Sequence, residues 1–425
     1  MEFADYKNYV SPALAKATDL ILEKGKGCYA TDVNGVEYLD FVQGIAVNAL
    51  GHCHPKIVKA IQDQVAKLSA ASFNLVNFPT TLELAKRIAE IAPGDLGVTF
   101  FSNGGAEAND GALKLARAVT HRPAIIAFRG SFHGRTMGAT SVTGSNSKYR
   151  KGYEPLMGGV YFTPYPHPYR WGISGADEAT TTAEALDDIQ KIFDHLVAPE
   201  DVAAVIFEPV LGEGGYVVPP KEFVVKLREL CTKHGIMLIF DEIQSGYART
   251  GKMFASEHFG VVPDIITLGK AIAGGLPMSA IVSTPEIMEK WKPGMHGTTF
   301  GGHPVCAAAA LAVLDAIEEE KILDNVNEQG AYLKEKMLEL KAKYPVIGDV
   351  RGMGLMLAME FINPADRTPN ADAFNKVRQL CLENKMLILG CGVYGNGYRW
   401  ATPLNVTRKD LDKGLEIVDK ALLAM

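Results

Sequence analysis

Lys270 is the residue whose setting most favours chemistry. It lies in the segment Thr267-Leu268-Gly269-Lys270, directly after the short β-branched run Asp264-Ile265-Ile266, which is typical of a buried strand. A lysine at the end of such a strand is partly removed from water, which lowers its pKa and favours the neutral amine that can attack a carbonyl. Taken alone, Lys270 is better explained as a solvated loop lysine, because most lysines are exposed.

Two other predicted strands end in residues suited to hold a flat, phosphorylated ligand. Gly104, Gly105 and Ala106 open a predicted helix, whose free backbone N–H groups can bind a phosphate. After the next strand, Phe132 could stack on a ring and Arg135 could bind a carboxylate. The same residues also suit an ordinary turn, a core phenylalanine and a surface cation, so neither segment is decisive alone.

Three carboxylates complete the set of candidate site residues. Glu208 and Glu213 follow one predicted strand, and Asp241 follows the next. A pair of carboxylates can hydrolyse a glycoside, but that activity would leave Lys270 and Asp241 unexplained. A strand-end aspartate followed one βα unit later by a strand-end lysine is the pair that pyridoxal phosphate (PLP) chemistry needs, since the lysine forms the imine and the carboxylate keeps the pyridine nitrogen protonated. The residues therefore predict a PLP site centred on Lys270 and Asp241.

These residues must be positioned by a sheet whose strands alternate with helices. Apolar, β-rich runs alternate with segments whose apolar residues recur every three to four positions, which predicts a mostly parallel sheet covered on both faces. In such sheets ligands bind beyond the carboxyl ends of the strands. The predicted strands are 98–101, 124–128, 203–207, 237–240, 265–268 and 279–282, and the predicted helices are 81–91, 106–119, 179–195, 223–234, 307–319 and 325–343.

Composition argues against several other classes. The chain has 425 residues and a net charge of −6 without a basic cluster, which disfavours a nucleic-acid partner. No apolar run approaches the roughly 18 residues of a membrane span and the N-terminus lacks a signal-peptide pattern, so we expect a cytoplasmic protein. The six cysteines form no Cys-x-x-Cys pair, and His52-Cys53-His54 has no second ligand cluster, so no metal site is predicted.

Several segments follow one another in a recognisable order. They are Gly44-Ile45-Ala46-Val47-Asn48, Gly51-His52, the segments around Glu208 and Asp241, Thr267-Leu268-Gly269-Lys270, Thr298-Thr299-Phe300-Gly301-Gly302, and Arg399 before Pro403-Leu404. In these the chain resembles the class III (subgroup II) PLP-dependent aminotransferases of fold type I, over nearly its whole length. The resemblance implies an α/β fold with a large PLP-binding domain at 61–325 and a smaller α+β domain at 326–425, to which the N-terminal segment 1–60 contributes. It also implies a homodimer with shared active sites, or a dimer of such dimers.

The resemblance implies a role for each matching position. Lys270 would bond to the cofactor and shuttle protons, Asp241 would bind the pyridine nitrogen, and Glu208 would lie close to both. The other cofactor-binding positions would be Gly104, Gly105 and Ala106 at the phosphate, Phe132 on the ring, His133, Gln244 near the phenolic oxygen, and Thr299 at the phosphate of the neighbouring subunit. The substrate-binding positions would be Ile45, Arg135 for the distal carboxylate, Glu213 and Arg399.

Glu213 and Arg399 would let one pocket accept two kinds of amino donor. The arginine would bind the α-carboxylate of glutamate or 2-oxoglutarate. The glutamate would neutralise it when an ω-amino substrate enters, because an unpaired buried guanidinium would cost several kcal/mol. Gly104 departs from the family pattern, which has a serine there and therefore one more donor to the phosphate. Asn109-Asp110-Gly111, weak helix formers inside a predicted helix, have no functional explanation from the sequence.

The predicted reaction moves an amino group from a 4-aminobutyrate-like ω-amino acid to 2-oxoglutarate, giving a semialdehyde and glutamate by ping-pong chemistry. Tyr394-Gly395-Asn396 and residues 249–254 look most like 4-aminobutyrate aminotransferases, whereas 44–52 is shared with acetylornithine and ornithine enzymes. An amino-acid racemase or epimerase on the same fold is a second alternative, and a non-catalytic binding protein is a third. Gln43 and the loop 164–177 are expected to line the entrance without identifying the substrate.

Overall fold

A computed structural model describes residues 1–173 and 175–425, and the elements below belong to this part of the chain. The strands are β1 (Leu22–Lys26), β2 (Tyr29–Asp32), β3 (Glu37–Asp40), β4 (Val98–Ser102), β5 (Ala124–Arg129), β6 (Val160–Pro164), β7 (Val202–Phe207), β8 (Met237–Asp241), β9 (Ile265–Leu268), β10 (Ser279–Ser283), β11 (Ile347–Met353), β12 (Met356–Phe361), β13 (Met386–Leu387), β14 (Leu389–Cys391) and β15 (Gly397–Trp400). The helices are α1 (Gln43–Ala46), α2 (Pro55–Val65), α3 (Pro79–Ile91), α4 (Gly105–Thr120), α5 (Met137–Val142), α6 (Pro168–Ile173), α7 (Glu178–His195), α8 (Lys221–His234), α9 (Ser256–Phe259), α10 (Pro285–Met288), α11 (Pro304–Glu319), α12 (Ile322–Lys343), α13 (Ala371–Glu383) and α14 (Arg408–Leu423).

The central sheet has seven strands in the order β4-β10-β9-β8-β7-β5-β6. The neighbours from β9 through β8, β7 and β5 to β6 pair in parallel, and β10 is antiparallel to both β4 and β9. The predicted α/β fold is confirmed, and all six predicted strands are present. Strand β6 was not predicted, because its short run Val160–Pro164 mixes threonine and proline with apolar residues. Helices α3 and α11 begin before their first predicted residue, since each starts with a proline at its first turn.

Helices cover both faces of this sheet, so its central strands are apolar throughout. Every residue of β7 and β10 is buried. Helix α4 packs closely on the sheet at Gly111, where a Cβ atom would lie 2.4 Å from Cδ1 of Ile281. A side chain there would push the helix away, which explains a glycine that is unfavourable for the helix itself.

Two smaller sheets contain the remaining strands, and the first of them joins the N-terminal and C-terminal parts of the chain. Strands β1, β2 and β3 form a sheet with β13, which pairs in parallel with β3, and β11, β12, β15 and β14 form an antiparallel sheet in that order. Arg399 lies on β15, so this last sheet carries one of the predicted substrate-binding residues. None of the helices in the described ranges is long and apolar enough to cross a membrane.

Candidate active site

Lys270 and Asp241 lie at the carboxyl edge of the central sheet. Asp241 is the last residue of β8, and Lys270 begins a 3₁₀ turn two residues after the end of β9. The backbone of Lys270 has a φ of 44°, a left-handed conformation that non-glycine residues seldom adopt and that often occurs at functional sites. Burial lowers the pKa of Lys270, although the charges of Asp241 and Glu208 act in the opposite direction. Its amine therefore loses a proton more readily than that of an exposed lysine.

Asp241 is held by a cluster of three further side chains, Asn109, His133 and Thr267, which we call the Asp241 cluster. Oδ2 of Asp241 accepts hydrogen bonds from Nδ2 of Asn109 at 2.7 Å and from Nδ1 of His133 at 2.7 Å. Oγ1 of Thr267 donates to Oδ1 of Asn109 at 2.8 Å, and Asn109 also donates to the carbonyl of His133. The backbone N–H of Ile243 donates to Oδ1 of Asp241 at 3.1 Å. The carboxylate is fixed in position and orientation before any ligand binds.

Asn109 and Thr267 were not predicted as site residues. Asn109 is fully buried, although asparagine is a poor helix former and is usually exposed. Its polarity at a buried helix position was the available signal, but the sequence could not connect it to an aspartate 132 positions away. The contact supplies the explanation that the sequence lacked for this asparagine.

Glu208 lies beside this cluster and bridges two loops. Its Oε1 accepts the backbone N–H of Phe132 at 2.8 Å, and its Oε2 accepts that of Gly212 at 2.8 Å. Burial raises the pKa of Glu208 to about 7; the charge of Asp241 also raises it, and His133 opposes the rise. Gln244 is oriented by Tyr216, whose hydroxyl donates to Oε1 of Gln244 at 2.9 Å.

The start of α4 forms a concave surface of bare backbone N–H groups. Gly104 is the extended N-cap, with no capping side chain. A Cβ atom on Gly105 would lie 2.8 Å from Cδ1 of Ile243, so only glycine allows the start of the helix to pack this closely on Ile243. A Cβ atom on Gly104 would meet no heavy atom within 4 Å. Ala106 lies against Gly134. The free N–H groups and the positive end of the helix dipole suit a phosphate.

Arg399, Glu213 and Tyr149 form the opposite side of the site, which we call the gateway. Nη2 of Arg399 donates to Oε2 of Glu213 at 2.8 Å, and the hydroxyl of Tyr149 donates to Oε1 of Glu213 at 3.2 Å. Arg399 is only 3% exposed, yet its Nε and Nη1 have no hydrogen-bond partner among the described residues. The ion pair is thus made through a single nitrogen, with donors left over for a second carboxylate.

Arg135 and Phe132 are linked to the gateway through Tyr149, which was not predicted. The guanidinium of Arg135 lies 4.0 Å from the centre of the Tyr149 ring, and Phe132 meets the same ring edge-on at 5.4 Å. Arg135 is exposed. A cation held by a ring rather than by an acid keeps its charge available for a ligand carboxylate.

Ile45 lies in a strained turn. Gln43, Gly44, Ile45 and Ala46 all have left-handed φ values between 49° and 69°, which is unfavourable for a β-branched residue such as isoleucine. Asp40 holds this turn, since its Oδ1 accepts the backbone N–H groups of Val42 and Gln43. The result is that the side chain of Ile45 is 48% exposed.

Thr299 lies apart from these groups on the surface. It is exposed, and the adjacent Phe300 is 62% exposed. The neighbouring Thr298 ties the segment to the phosphate-binding loop, because Nδ2 of Asn103 donates to its Oγ1 at 3.0 Å. The structure therefore leaves Thr299 facing outward, and no hydrogen bond in the described part of the chain joins Ile45 to the other predicted site residues.

Comparison with known proteins identifies the family. A model of the family described as Aminotransferase class-III matches residues 10–422. The chain belongs to the class III aminotransferases. It is therefore a transaminase, and its cofactor is pyridoxal phosphate.

Similar class III proteins have more than one named activity. The chain is 41% identical to a 5-aminovalerate aminotransferase (DavT) of Pseudomonas putida, covering 94% of this chain and 93% of the relative. It is 40% identical to the 4-aminobutyrate aminotransferase GabT of Escherichia coli with the same coverage, and 37% identical to an alanine/serine racemase of Pyrococcus horikoshii, covering 96% and 86%. An amine transaminase structure from an uncultivated Pseudomonas species in its PLP-bound form matches with a TM-score of 0.91 at 32% identity, covering 98% of both chains.

The residues present fit this cofactor. In a class III aminotransferase, the backbone N–H groups at the start of α4 would bind the phosphate beside Gly104, where a Cβ atom would meet nothing within 4 Å, and Asp241 would face the ring nitrogen. His133 has a buried Nε2 without a partner among the described residues, and Lys270 has a lowered pKa suited to carbonyl attack. Backbone N–H groups, a carboxylate and an amine suit an anionic, aromatic aldehyde such as PLP rather than a metal ion.

Proposed function

We propose that this transaminase moves the amino group of an ω-amino acid of the 4-aminobutyrate or 5-aminovalerate type to 2-oxoglutarate. The products would be a semialdehyde and glutamate, formed in two half-reactions of ping-pong type. The observation that carries this proposal is the gateway, in which Arg399 is buried, neutralised by Glu213 through one nitrogen, and left with unpaired donors. The 41% and 40% identities to ω-amino-acid aminotransferases support it.

Bound PLP supplies an electrophilic aldehyde and a ring that accepts electrons when the substrate loses a proton. Lys270 would hold that aldehyde through its amine, and its Nζ atom would take and return the proton that the substrate loses. Its pKa is lowered by burial, so the neutral form needed to accept a proton is more accessible than in an exposed lysine.

Asp241 holds the negative charge that keeps the ring nitrogen protonated. Its three hydrogen bonds leave it no freedom to rotate away, so the charge is already in place when the substrate reacts. Glu208, with a pKa of about 7, is close enough to raise the pKa of Lys270 when it ionises. We infer that it adjusts the proton affinity of Lys270 rather than contacting the substrate.

The gateway distinguishes the two donors by whether they carry an α-carboxylate. An ω-amino acid brings no α-carboxylate, so Glu213 stays on Arg399 and the guanidinium remains neutralised. Glutamate brings an α-carboxylate, which takes the place of Glu213. The side chain of Glu213 is 29% exposed and can turn towards solvent, whereas the side chain of Arg399 is only 4% exposed and cannot. The mobile partner is therefore the carboxylate, and Arg135 remains for the distal carboxylate of either donor.

An amino-donor screen tests this proposal. The holoenzyme is assayed with 2-oxoglutarate and, in separate reactions, 4-aminobutyrate, 5-aminovalerate, ornithine, acetylornithine, alanine and serine. We expect the first two to give the highest kcat/KM. A higher kcat/KM for acetylornithine or for the α-amino acids would refute the ω-amino-acid assignment.

The racemase activity is a second candidate, because the chain is 37% identical to an alanine/serine racemase. The two activities differ in what happens when an amino donor is added without a 2-oxo acid. A transaminase converts its cofactor fully to the aminated form, with a permanent change of its absorption spectrum. A racemase keeps the original spectrum and instead changes the optical rotation of L-alanine.

We also infer that the enzyme is a homodimer, or a dimer of dimers, in the cytoplasm. Thr299 and Phe300 are exposed, and the nearby Leu75 and Val76 add further exposed apolar surface, since Asn74 donates to the carbonyl of Thr298 at 2.7 Å. An apolar surface of this kind beside a phosphate-binding loop suits a partner subunit. Phe300→Glu should convert the dimer to a monomer in light scattering, and an unchanged mass would contradict this.

A further inference from the structure

A cavity of about 350 Å³ lies between the central sheet and the C-terminal sheet. Residues beyond β5 and β6 form one wall, the loop after β7 forms the floor, and β11, β12 and the turn before β15 form the other wall. We call it the Arg129 cavity; its polar lining includes Arg129, Ser145, His167, Arg170, Arg351 and Glu360. Four residues of the loop 164–177, which the sequence places at the substrate entrance, line this cavity; Ser174 of that loop lies outside the described residues.

The lining has more positive than negative charge. Among the described residues that line the cavity, Glu360 carries the one carboxylate, and it is shared by two cations, Arg170 and Arg351. Arg351 also pairs with Asp349 at 2.9 Å. Arg129 makes no ion pair and no side-chain hydrogen bond within the described ranges, and it is exposed at the rim. One guanidinium therefore remains without compensation at the mouth of a partly enclosed space.

Two further groups supply hydrogen-bond donors. Ser145 is 5% exposed and lines the cavity, and its Oγ has no hydrogen-bond partner in the described part of the chain. A buried hydroxyl without a partner is costly, so a ligand that bonds to it gains free energy. His167 accepts the backbone N–H of Arg170 at Nδ1, and burial together with the charges of Arg351 and Arg170 keeps its pKa well below the usual value. The neutral ring then carries its proton on Nε2, a donor.

We propose that the Arg129 cavity binds a small anion that carries a carboxylate or a phosphate group, held by Arg129, Ser145 and His167. The volume suits a metabolite-sized ligand. A charged acceptor matches the unpaired guanidinium and the unpartnered hydroxyl, and the charge-assisted contact to arginine is the stronger kind of hydrogen bond. A cation would face Arg129, Arg170 and Arg351, so the charges exclude it.

This cavity is distinct from the active site but shares a loop with it. The carboxylate of Glu213 contacts Arg399 and Tyr149, and neither of these residues lines the cavity. The backbone of the same loop is held from the cavity side, because Arg351 donates from Nε to the carbonyl of Gly215 at 2.7 Å and Gly392 donates to the carbonyl of Glu213 at 2.8 Å. The proposal does not depend on which amine the enzyme accepts.

Binding to the PLP-saturated holoenzyme tests the proposal, since the cofactor then fills the phosphate site at α4. Inorganic phosphate is titrated calorimetrically at constant ionic strength into the wild type, Arg129→Gln, Ser145→Ala and a control, Lys233→Gln, which removes one exposed positive charge on α8. We expect saturable binding that weakens about tenfold in Arg129→Gln and several-fold in Ser145→Ala, with no change in Lys233→Gln.

A second series with glutarate distinguishes the two sources of the anion. Only binding that Arg129→Gln weakens is counted. If glutarate binds more tightly than phosphate, the natural ligand is a carboxylate; if phosphate binds more tightly, it is a phosphate ester. Arg129 is exposed, so its substitution should leave the cofactor spectrum unchanged, and Ser145→Ala tests the same site through a different residue. Absence of phosphate and glutarate binding outside the active site, or equal binding to all four proteins, would overturn the proposal.

Discussion

The Asp241 cluster and the gateway are built in opposite ways. In the cluster, both oxygens of Asp241 and both polar atoms of the Asn109 amide have partners, with four contacts of 2.7 to 2.8 Å. In the gateway, Arg399 uses one nitrogen and leaves Nε and Nη1 without partners among the described residues. A carboxylate and an amide whose polar atoms are all paired hold one geometry, whereas an ion pair with donors left over can exchange its partner. The cofactor side is thus preorganised, and the substrate side is left free to change.

The largest expected effect on activity comes from a substitution in the Asp241 cluster. Asp241→Asn removes the charge that keeps the ring nitrogen protonated, and both half-reactions should slow about 10³-fold, in equal proportion. Stopped-flow spectra of the cofactor with 4-aminobutyrate and with glutamate measure each half separately. Asp110→Asn, next to Asn109 on α4 but outside the cluster, is the control and should change neither rate by more than about twofold.

Asn109→Ala should have the next largest effect. It leaves Asp241 with one donor fewer and leaves the Thr267 hydroxyl without its acceptor. We expect about a tenfold loss in both half-reactions and a loss of stability of about 1–3 kcal/mol. A merely structural role would lower the unfolding midpoint without moving the pH at which the cofactor spectrum changes, and that result would remove Asn109 from the site.

Gly104→Ser tests the phosphate side of the preorganised region. The backbone of Gly104 is extended, with φ −131° and ψ 155°, and a Cβ atom meets nothing within 4 Å, so a serine fits without strain. The added hydroxyl caps the helix and can donate to the phosphate, which should tighten PLP binding about fivefold. Equilibrium dialysis of the cofactor measures this. Gly104→Ala fits equally well without a hydroxyl, and an equal gain from it would exclude the donor as the cause.

Glu208 connects the Asp241 cluster with the gateway, and its substitution should have the smallest effect on activity. Its pKa of about 7 means that it gains a charge as pH rises through neutrality, and this charge raises the pKa of Lys270. The wild-type profile of kcat/KM against pH should therefore contain an inflection near pH 7, with a change of about twofold to fivefold. Glu208→Gln should lose this inflection. If it persists, another group is responsible for it.

The sequence was sufficient for the fold because strand ends and helix starts carry local signals. Lys270, Asp241 and Gly105 each follow an apolar run, so their position at the sheet edge could be predicted. The partners of Asp241 could not, because Asn109 is on a helix and a helix position does not reveal which distant strand it faces. Tyr149 lies in a 3₁₀ turn without a repeating pattern. Its link to Arg135 and Glu213 exists only in three dimensions.

The environment of Ile45 and the Arg129 cavity could not be predicted from the sequence for the same reason. The sequence segment around Ile45 was recognised by resemblance, but the left-handed backbone that exposes this side chain depends on Asp40, whose role is not visible in a motif. The loop 164–177 was expected at the substrate entrance, and nothing in the sequence indicated that several of its residues also line a cavity closed by strands β11 and β12. Sequence spacing does not report which of two neighbouring spaces a loop borders.

The exchange of partners at Arg399 is the central claim, and Glu213→Gln tests it most directly. The variant keeps the shape of residue 213 and removes the charge that neutralises the guanidinium. In stopped-flow experiments, the half-reaction with 4-aminobutyrate should slow more than about tenfold, while the half-reaction with glutamate, whose own α-carboxylate pairs with Arg399, should change less than about threefold. Equal losses in the two half-reactions would contradict the account.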